Sequence, residues 1–321
     1  MFNSKTFNQP AFRILTTFCF VLSAFVFSAN AQIQTDKSTM QMKQSANTAT
    51  TNSAKFRVTL NGFAVNNQSD DDIMEGDGKG DEVYLRADVW QMDKNGAVVV
   101  KQPYKTTILG DTNRQTPRLK AGSASPSEGG GPGGGLRTGD KFPTNTPWQL
   151  FGAAGAANGT LPMLLWEGSL AQGADGIVII PTVWEWDSRD MSRSESEWDK
   201  TLDTIFSAVK PHLLRQIISN DTTPFSMARA LGDDAVTFGG QTANPAVNLR
   251  DKSGTRPIGL FALDGRPVVF LPALLTLNYD SALKATKTSP SNSGLGVFAF
   301  RYVDAQDHGD YTLYIQVEKI N

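Results

Sequence analysis

The sequence has few of the residues that most often carry catalysis or hold metal ions. Among 321 residues it has one cysteine, Cys19, and two histidines, His212 and His308. Two distant histidines cannot form an HExxH or multi-histidine metal site, and no G-x-S-x-G motif is present. Cys19 lies in an apolar N-terminal run, so a chain without that run has no thiol. These absences disfavour zinc, cysteine and serine-hydrolase chemistry.

An excess of positive charge is also missing. The 30 Lys and Arg residues are balanced by 32 Asp and Glu residues, which gives a net charge of −2. Without a basic field the chain has little to attract a phosphate backbone, so nucleic acid is not expected as a partner. The hydrophobic fraction of 40% is too high for a chain that is disordered throughout, which indicates a globular protein.

The N-terminus has the pattern of a signal peptide. Lys5 and Arg13 precede an apolar run over Ile14–Ser28, and small residues follow up to Ala31. The run is shorter than the roughly 18 to 20 residues that a membrane-spanning helix needs, although a retained anchor is the alternative. We therefore predict that residues 1–31 are removed and that the protein is exported, either to a periplasm or to the extracellular space. No transmembrane span is expected after cleavage.

The rest of the chain divides into a tether and a β-rich domain. Residues 32–55 are polar, without aromatic side chains or an apolar period, and are predicted to be a disordered tether. Residues 56–321 begin and end with alternating apolar residues, at Phe56–Leu60 and Tyr311–Ile320. Further strands are predicted at Leu161–Leu170, Gly176–Asp187, Arg256–Ala262, Val268–Tyr279 and Gly296–Val303. The pattern favours a mainly β fold, an antiparallel β-sandwich with both terminal strands in one body.

Turns, loops and one helix interrupt the strands. Asp93-Lys94-Asn95-Gly96 predicts the turn of a hairpin over Tyr84–Val100. Residues 121–140 contain eight glycines and are predicted to be a mobile loop. An apolar stripe at spacings of three and four predicts an amphipathic helix over about 195–218, inside an insertion of residues 190–220. Pro211 is expected to kink or split this helix, and Pro181 to mark a bulge or bend in its strand.

Two acidic loops suggest a calcium site. Seven carboxylates lie between Asp70 and Glu82, and a second acidic group follows the strand that ends near residue 303. Oxygen-rich loops at strand ends suit Ca²⁺, and an exported protein meets this ion at concentrations that fill weak sites. The predicted ligands are Asp77, Asp81, Glu82, Asp304 and Asp307. The alternative is that both loops are solvated acidic turns.

A strand with alternating Trp and acidic residues offers a second site. In Trp184-Glu185-Trp186-Asp187 the tryptophans should face one side of the sheet and the carboxylates the other. The segment Glu185–Asp190 (EWDSRD) resembles the E-x-D-x-x-E motif of the laminarinase and lichenase type of glycoside hydrolase, which is also a β-sandwich. The resemblance covers six residues and implies Glu185 as nucleophile and Asp190 as general acid, with Asp187 between them, although Asp190 is shorter than the family's Glu.

The alternative is that these tryptophans fill the core, while the carboxylates are exposed or paired with Arg189 or Arg193. Trp148 follows Pro147 beside the glycine-rich loop and is the best candidate for an aromatic side chain that stacks on a glycan. We therefore expect an exported, non-enzymatic β-sandwich, stabilised by Ca²⁺, that binds a glycan or protein ligand or attaches to a surface. A glycoside hydrolase using Glu185, Asp187 and Asp190 and a structural component of the cell envelope are the alternatives.

Overall fold

The structure is a computed structural model. It describes residues 51–69, 80–110, 135–152, 159–186, 191–219, 225–226, 255–261, 269–270, 272–304 and 308–321. These residues belong to one compact unit, Ala49–Asn321. The predicted signal peptide and most of the predicted tether lie outside the described residues.

The first of two antiparallel sheets unites the two ends of the domain. Its strands are β1 (Ser53–Asn67), β4 (Lys141–Phe142), β5 (Met163–Ala171), β12 (Val297–Val303) and β13 (Asp310–Ile320). The order is β12-β13-β1, and both β4 and β5 pair with β1 on its other side. Pairing of β1 with β13 runs from Lys55↔Ile320 to Asn67↔Asp310, which confirms that the terminal strands share one body.

This pairing moves the start of the first strand. β1 begins at Ser53, so the last three residues of the predicted tether are strand. Ser53 pairs with Ala171, and Lys55 pairs with residues of both β5 and β13. The polar composition of 32–55 conceals this because backbone pairing with two neighbours does not require apolar side chains.

The second sheet contains the predicted hairpin. It comprises β2 (Val83–Asp93), β3 (Val98–Lys105), β6 (Asp175–Glu185), β7 (Phe225–Ser226), β8 (Arg256–Pro257) and β11 (Leu275–Asn278). The order is β3-β2-β6-β11-β7, and β8 pairs with the end of β6. At the hairpin turn Gly96 has a φ of +82°, and Asp93 Oδ1 accepts the N–H groups of Asn95 and Ala97. A separate two-stranded ladder joins β9 (Leu260–Phe261) to β10 (Val269–Phe270).

The second sheet is covered on both faces. Odd-numbered side chains of β2 face the first sheet, where Gln91 accepts a hydrogen bond from Trp166 at 3.3 Å. Even-numbered side chains of β2 face the helix α1 (Met191–Ser219). There Trp90 of β2 contacts Phe206 of the helix. The two apolar layers explain why β2 and β6 are buried almost throughout their lengths. Neither helix of the described chain is long and apolar enough to cross a membrane.

Neither the bulge predicted at Pro181 nor the split predicted at Pro211 is present. The pairing of β2 with β6 passes through Pro181 without a shift, so no bulge is present in that ladder. On the other edge of β6 no strand pairs with Pro181. The pairing with β11 ends at Ile179, and the pairing with β8 starts at Trp184. α1 is not split at Pro211 but runs through it.

The predicted strand Val268–Tyr279 is also partly wrong. It contains the short strands β10 and β11, and its last residue is the first residue of the helix α2 (Tyr279–Ala285). Asn278 caps this helix: its side chain accepts the N–H of Ser281 at 2.7 Å, and the Ser281 hydroxyl accepts the N–H of Asn278 at 2.8 Å. This reciprocal pair is a capping box, and it was the available sequence signal for the missed helix.

The end of the glycine-rich segment is packed rather than loose. Residues 121–134 lie outside the described ranges, but Leu136 is fully buried and pairs with Asp81. Gly135 has a φ of +71°, and a Cβ atom there would lie 1.9 Å from the carbonyl oxygen of Gly80. The glycine at position 135 therefore permits close backbone contact, and the mobility of the rest of the loop stays a prediction.

Candidate functional site

Three of the predicted site residues meet in one buried cluster. Asp81, Glu185 and Asp304 are 1%, 2% and 2% exposed, at the end of the sandwich where β6 and β12 finish and β2 and β13 begin. One described residue of each acidic loop, Asp81 and Asp304, therefore lies in the same cluster. We call this cluster the acid network and define it by its members, which are Ser69, Asp81, Glu185, Arg256, Asp304 and Tyr311.

Arg256 is the cation of the acid network. Its Nη2 lies 2.6 Å from Glu185 Oε2, and its Nη1 lies 2.7 Å from Asp304 Oδ2. The two-residue strand β8 positions it, because Arg256 pairs with Glu185 across the ladder. The expectation that Glu185 is exposed is therefore wrong, and the partner that the structure shows for it is Arg256. Arg256 itself is 5% exposed, so both ion pairs are shielded from water.

Asp81 is held by hydrogen bonds. The backbone N–H of Ser69 donates to its two oxygens at 2.8 and 3.0 Å, and Tyr311 O–H donates to Oδ2 at 2.5 Å. Burial, with a smaller contribution from the charge of Glu185, raises the pKa of Asp81 to about 7, while the hydrogen bonds oppose this rise. Burial and the neighbouring Asp81 raise the pKa of Tyr311 well above its ordinary value. Near neutral pH, Asp81 therefore holds a proton for part of the time.

The described carboxylates do not form a metal cage. Within the described ranges no group of three or more Asp, Glu, His or Cys residues is arranged to hold a metal ion. The carboxylates of the acid network instead face Arg256, Ser69 and Tyr311. The remaining predicted ligand in this part of the chain, Glu82, is half-buried, and its carbonyl accepts the N–H of Trp186. Asp77 and Asp307 lie outside the described residues, and calcium binding stays a prediction.

In the strand that resembles the glycoside hydrolase motif, Trp184 and Glu185 lie on opposite faces of the sheet, as predicted. Trp184 is fully buried on the helix-facing side and packs against Trp198, whereas Glu185 is in the acid network. Trp186 is half-buried against the core. Asp187 and Asp190 lie outside the described residues. Because Glu185 is buried and ion-paired, its position does not favour attack on a sugar.

Trp148 lies on a different face, at the outer surface of the first sheet. Its half-buried ring contacts Tyr314 edge to face at a centroid distance of 5.8 Å, and Lys141 Nζ is 6.0 Å from the ring centroid. We call Trp148, Tyr314 and Lys141 the aromatic patch. Tyr314 was missed from the sequence because the alternation of β13 marks it as outward-facing but gives no information about what lies beside it.

The loop that carries Trp148 is fixed to the sheet. Asn61 is fully buried, and its Nδ2 donates to the carbonyl of Trp148 at 3.0 Å and to Gln316 Oε1 at 2.8 Å. The loop crosses β1 at Gly62, where a Cβ atom would lie 2.2 Å from the carbonyl oxygen of Phe142. Trp148 is therefore held in place by the sheet beneath it.

A groove of about 410 Å³ lies between α1 and strands β2 and β3. Its floor contains Arg86, which donates from Nε and Nη2 to Asp88 and from Nη2 to Asp199 at 2.5 Å. Trp198 Nε1–H also donates to Asp88 at 2.9 Å. Burial raises the pKa of Asp88, although Arg86 and Trp198 counteract this. The charges of the groove are largely paired with one another, which is typical of a joint between a helix and a sheet.

Comparison of the chain with protein-family models, with curated proteins and with solved structures finds no match. The candidate sites are therefore defined by their geometry alone.

Proposed function

We propose that the protein is an exported, non-enzymatic β-sandwich that binds a ligand, with a glycan as the best-supported class. The observation that carries this proposal is the contrast between its two candidate sites. The carboxylates of the acid network are at most 2% exposed and have partners inside the protein. The aromatic patch, in contrast, lies on an outer sheet face with both rings partly open to solvent.

The composition of the aromatic patch suits a sugar. Aromatic rings offer flat apolar faces to the C–H groups of a pyranose, and a nearby ammonium group can donate to hydroxyl or carboxylate oxygens. Lys141 is exposed and makes no ion pair with the described residues. The hydrogen bonds of Asn61 fix the loop that carries Trp148, so little conformational entropy remains to be lost when a ligand binds.

The proposal is tested by removing one ring at a time. We expect Trp148→Ala and Tyr314→Ala each to weaken binding to a polysaccharide panel by about tenfold or more, as for aromatic residues at the centre of an interface. Binding is measured by intrinsic tryptophan fluorescence and by retention on immobilised polysaccharides. Tyr104→Ala is the matched control, because Tyr104 is a half-buried aromatic on β3 of the other sheet.

Two outcomes would contradict the proposal. The first is that the panel contains binders whose affinity Trp148→Ala and Tyr314→Ala leave unchanged. The second is that the wild-type protein hydrolyses a β-glucan and that Glu185→Gln abolishes this activity, which would replace a binding module with the hydrolase alternative.

A further inference from the structure

The side-chain amide of Gln316 is oriented by the loop that carries Trp148. Asn61 Nδ2 donates one hydrogen to the carbonyl of Trp148 at 3.0 Å and the other to Gln316 Oε1 at 2.8 Å. A carbonyl can only accept, so this contact fixes which end of the Asn61 amide faces the loop. The atom of Gln316 that receives the second hydrogen must then be its oxygen. The half-buried Gln316 therefore keeps two Nε2 hydrogens that have no acceptor among the described residues.

Further donors on β12 and β13 are also uncommitted. The Thr312 hydroxyl accepts from Asn66 Nδ2 at 2.8 Å, so its own hydrogen is not used in that bond. Arg301 donates from Nε and Nη2 to Asp310, which leaves its Nη1 hydrogens without an acceptor in the described part of the chain. The carboxylate of Asp310 already accepts from both Arg301 and Asn66. These polar groups therefore offer a ligand donors rather than acceptors.

The strand ladders place these donors on the outer face of the first sheet, beside Tyr314. Lys141 lies opposite Ala64, which lies opposite Thr312. Thr312 in turn lies opposite Arg301. Directly opposed residues share a face of a sheet, so these four residues form one row across β4, β1, β13 and β12. With strands about 4.8 Å apart the row is roughly 14 Å long, and Tyr314 follows Thr312 on the same face.

The described charges of this outer face leave one cation uncompensated. Lys141 is exposed and makes no ion pair with the described residues, whereas Arg301 is neutralised by Asp310. Farther along the face two cations are matched by two anions, and these four residues are Lys55, Arg57, Glu167 and Glu318. The whole chain, in contrast, has a net charge of −2. A ligand that carries negative groups is therefore complementary to this face of the protein.

We propose that the ligand of the aromatic patch is a polysaccharide whose sugars carry carboxylates. This inference rests on the proposed function and adds the charge of the ligand to it. The sugar rings stack on Trp148 and Tyr314, and the carboxylates accept hydrogen bonds on either side of these rings. The donor on one side is Lys141 Nζ, in the row of Thr312, and the donor on the other side is Gln316 Nε2. A neutral glycan offers no counterion for Lys141, so it binds more weakly.

The test compares polymers that differ in charge but keep the same sugar linkages. Polygalacturonate, alginate and hyaluronan are each used in the acidic form and after reduction of their carboxylates to primary alcohols. Binding is measured by tryptophan fluorescence in EDTA, so that Ca²⁺ cannot bridge the polymer and the protein. We expect the wild-type protein to bind an acidic form at least about tenfold more tightly than the reduced form of the same polymer. The ratio should fall as salt is added, because salt screens the charge of Lys141.

Two variants locate the effect at the aromatic patch. Lys141→Gln removes the positive charge from an exposed side chain, and Gln316→Glu keeps the acceptor for Asn61 but replaces the donor with a negative oxygen. Each variant should weaken binding of the acidic form by about tenfold and change binding of the reduced form by less than about twofold. Lys94→Gln is the matched control, because Lys94 is an exposed lysine in the hairpin turn of the second sheet. It should change neither affinity.

Three outcomes would contradict the inference, and they separate it from the proposed function. Equal affinity for the acidic and reduced forms, lost in Trp148→Ala, would overturn the inference and keep the proposed function. Equal weakening by Lys141→Gln and Lys94→Gln would also overturn it, because the attraction would then belong to the whole surface. No binding of either form of any polymer would overturn the proposed function as well. The exposed position of Lys141 means that Lys141→Gln decides the question even if Gln316→Glu does not fold.

Discussion

Arg256 neutralises two carboxylates that would otherwise be buried charges. It contacts Glu185 and Asp304 at 2.6 and 2.7 Å, and all three side chains are nearly inaccessible to water. In such an environment, removal of one partner lowers the free energy of unfolding by more than the intact pair adds to it, because water cannot solvate the charge that remains.

We predict that Arg256→Met lowers the free energy of unfolding by about 3–5 kcal/mol. The measurement is chemical denaturation at pH 7, and adding Glu185→Gln and Asp304→Asn to Arg256→Met should recover part of the loss. Arg301→Met is the control, since the Arg301 side chain is 64% exposed in its pair with Asp310 and should cost less than about 1 kcal/mol. Equal losses for the two arginine variants would show that the acid network has no special role.

Among the elements, α1 contains one residue, Trp198, that makes both apolar and polar contacts with buried groups of the second sheet. Trp198 packs against Trp184 and Phe270 at centroid distances of 5.6 Å, and its N–H donates to the buried Asp88. The ion pair of Lys101 with Asp203 lies at the surface, with side chains 53% and 70% exposed. The buried contacts should therefore hold the helix more strongly than the exposed pair does.

The variant Trp198→Phe separates the contribution of the aromatic ring to stability from the contribution of the indole N–H donor. A phenylalanine keeps an aromatic ring in the cluster but removes the N–H, so we expect a loss of about 1–3 kcal/mol from the free energy of unfolding. Thermal and denaturant unfolding measure this loss. Lys101→Met should change the same quantity by less than about 1 kcal/mol. If the lysine variant proves the more costly, the surface pair rather than the indole anchors the helix.

Long elements were predictable and short ones were not. β1, β2 and β13 repeat the apolar alternation several times, and β6 is a nearly continuous apolar run, so their sequences identify them. The predicted strand Arg256–Ala262 is two short strands, β8 and β9, and its sequence did not indicate that β8 pairs with β6 whereas β9 pairs with β10. The same limit applies to the acid network: Asp81 and Asp304 stood out as acidic loop residues, but Arg256 is paired with Glu185 through a ladder that no local pattern indicates.

On the scale of the whole molecule, the fold is a sandwich with a helix on one outer face. The mainly β class, the antiparallel pairing and the union of the terminal strands were all predicted, because each depends on patterns spread over the chain. The position of Trp148 above β1 and β13 could not be predicted, because it depends on where its loop crosses β1 at Gly62.

Export stays a prediction that can be tested by following the N-terminus. Expressed with residues 1–31 in a host that secretes proteins, the mature protein is expected to begin at Gln32, as established by N-terminal sequencing and intact mass. The variant Ala31→Leu should block processing, because a signal peptidase accepts only small residues there. Recovery of the protein still beginning at Met1 would contradict the prediction and favour a retained anchor.

The ladder between β1 and β13 also sets the order in which the protein can fold. Asn61 and Gln316 are hydrogen-bonded across 255 positions of sequence, so the first sheet cannot close until the last strand is available. Closing so long a loop costs chain entropy before any contact is gained, which makes this step slow. During synthesis, β1 must wait for almost the entire chain. A polypeptide of this design keeps its central ladder open until β13 has been synthesised, and until then one edge of β1 has no strand to pair with.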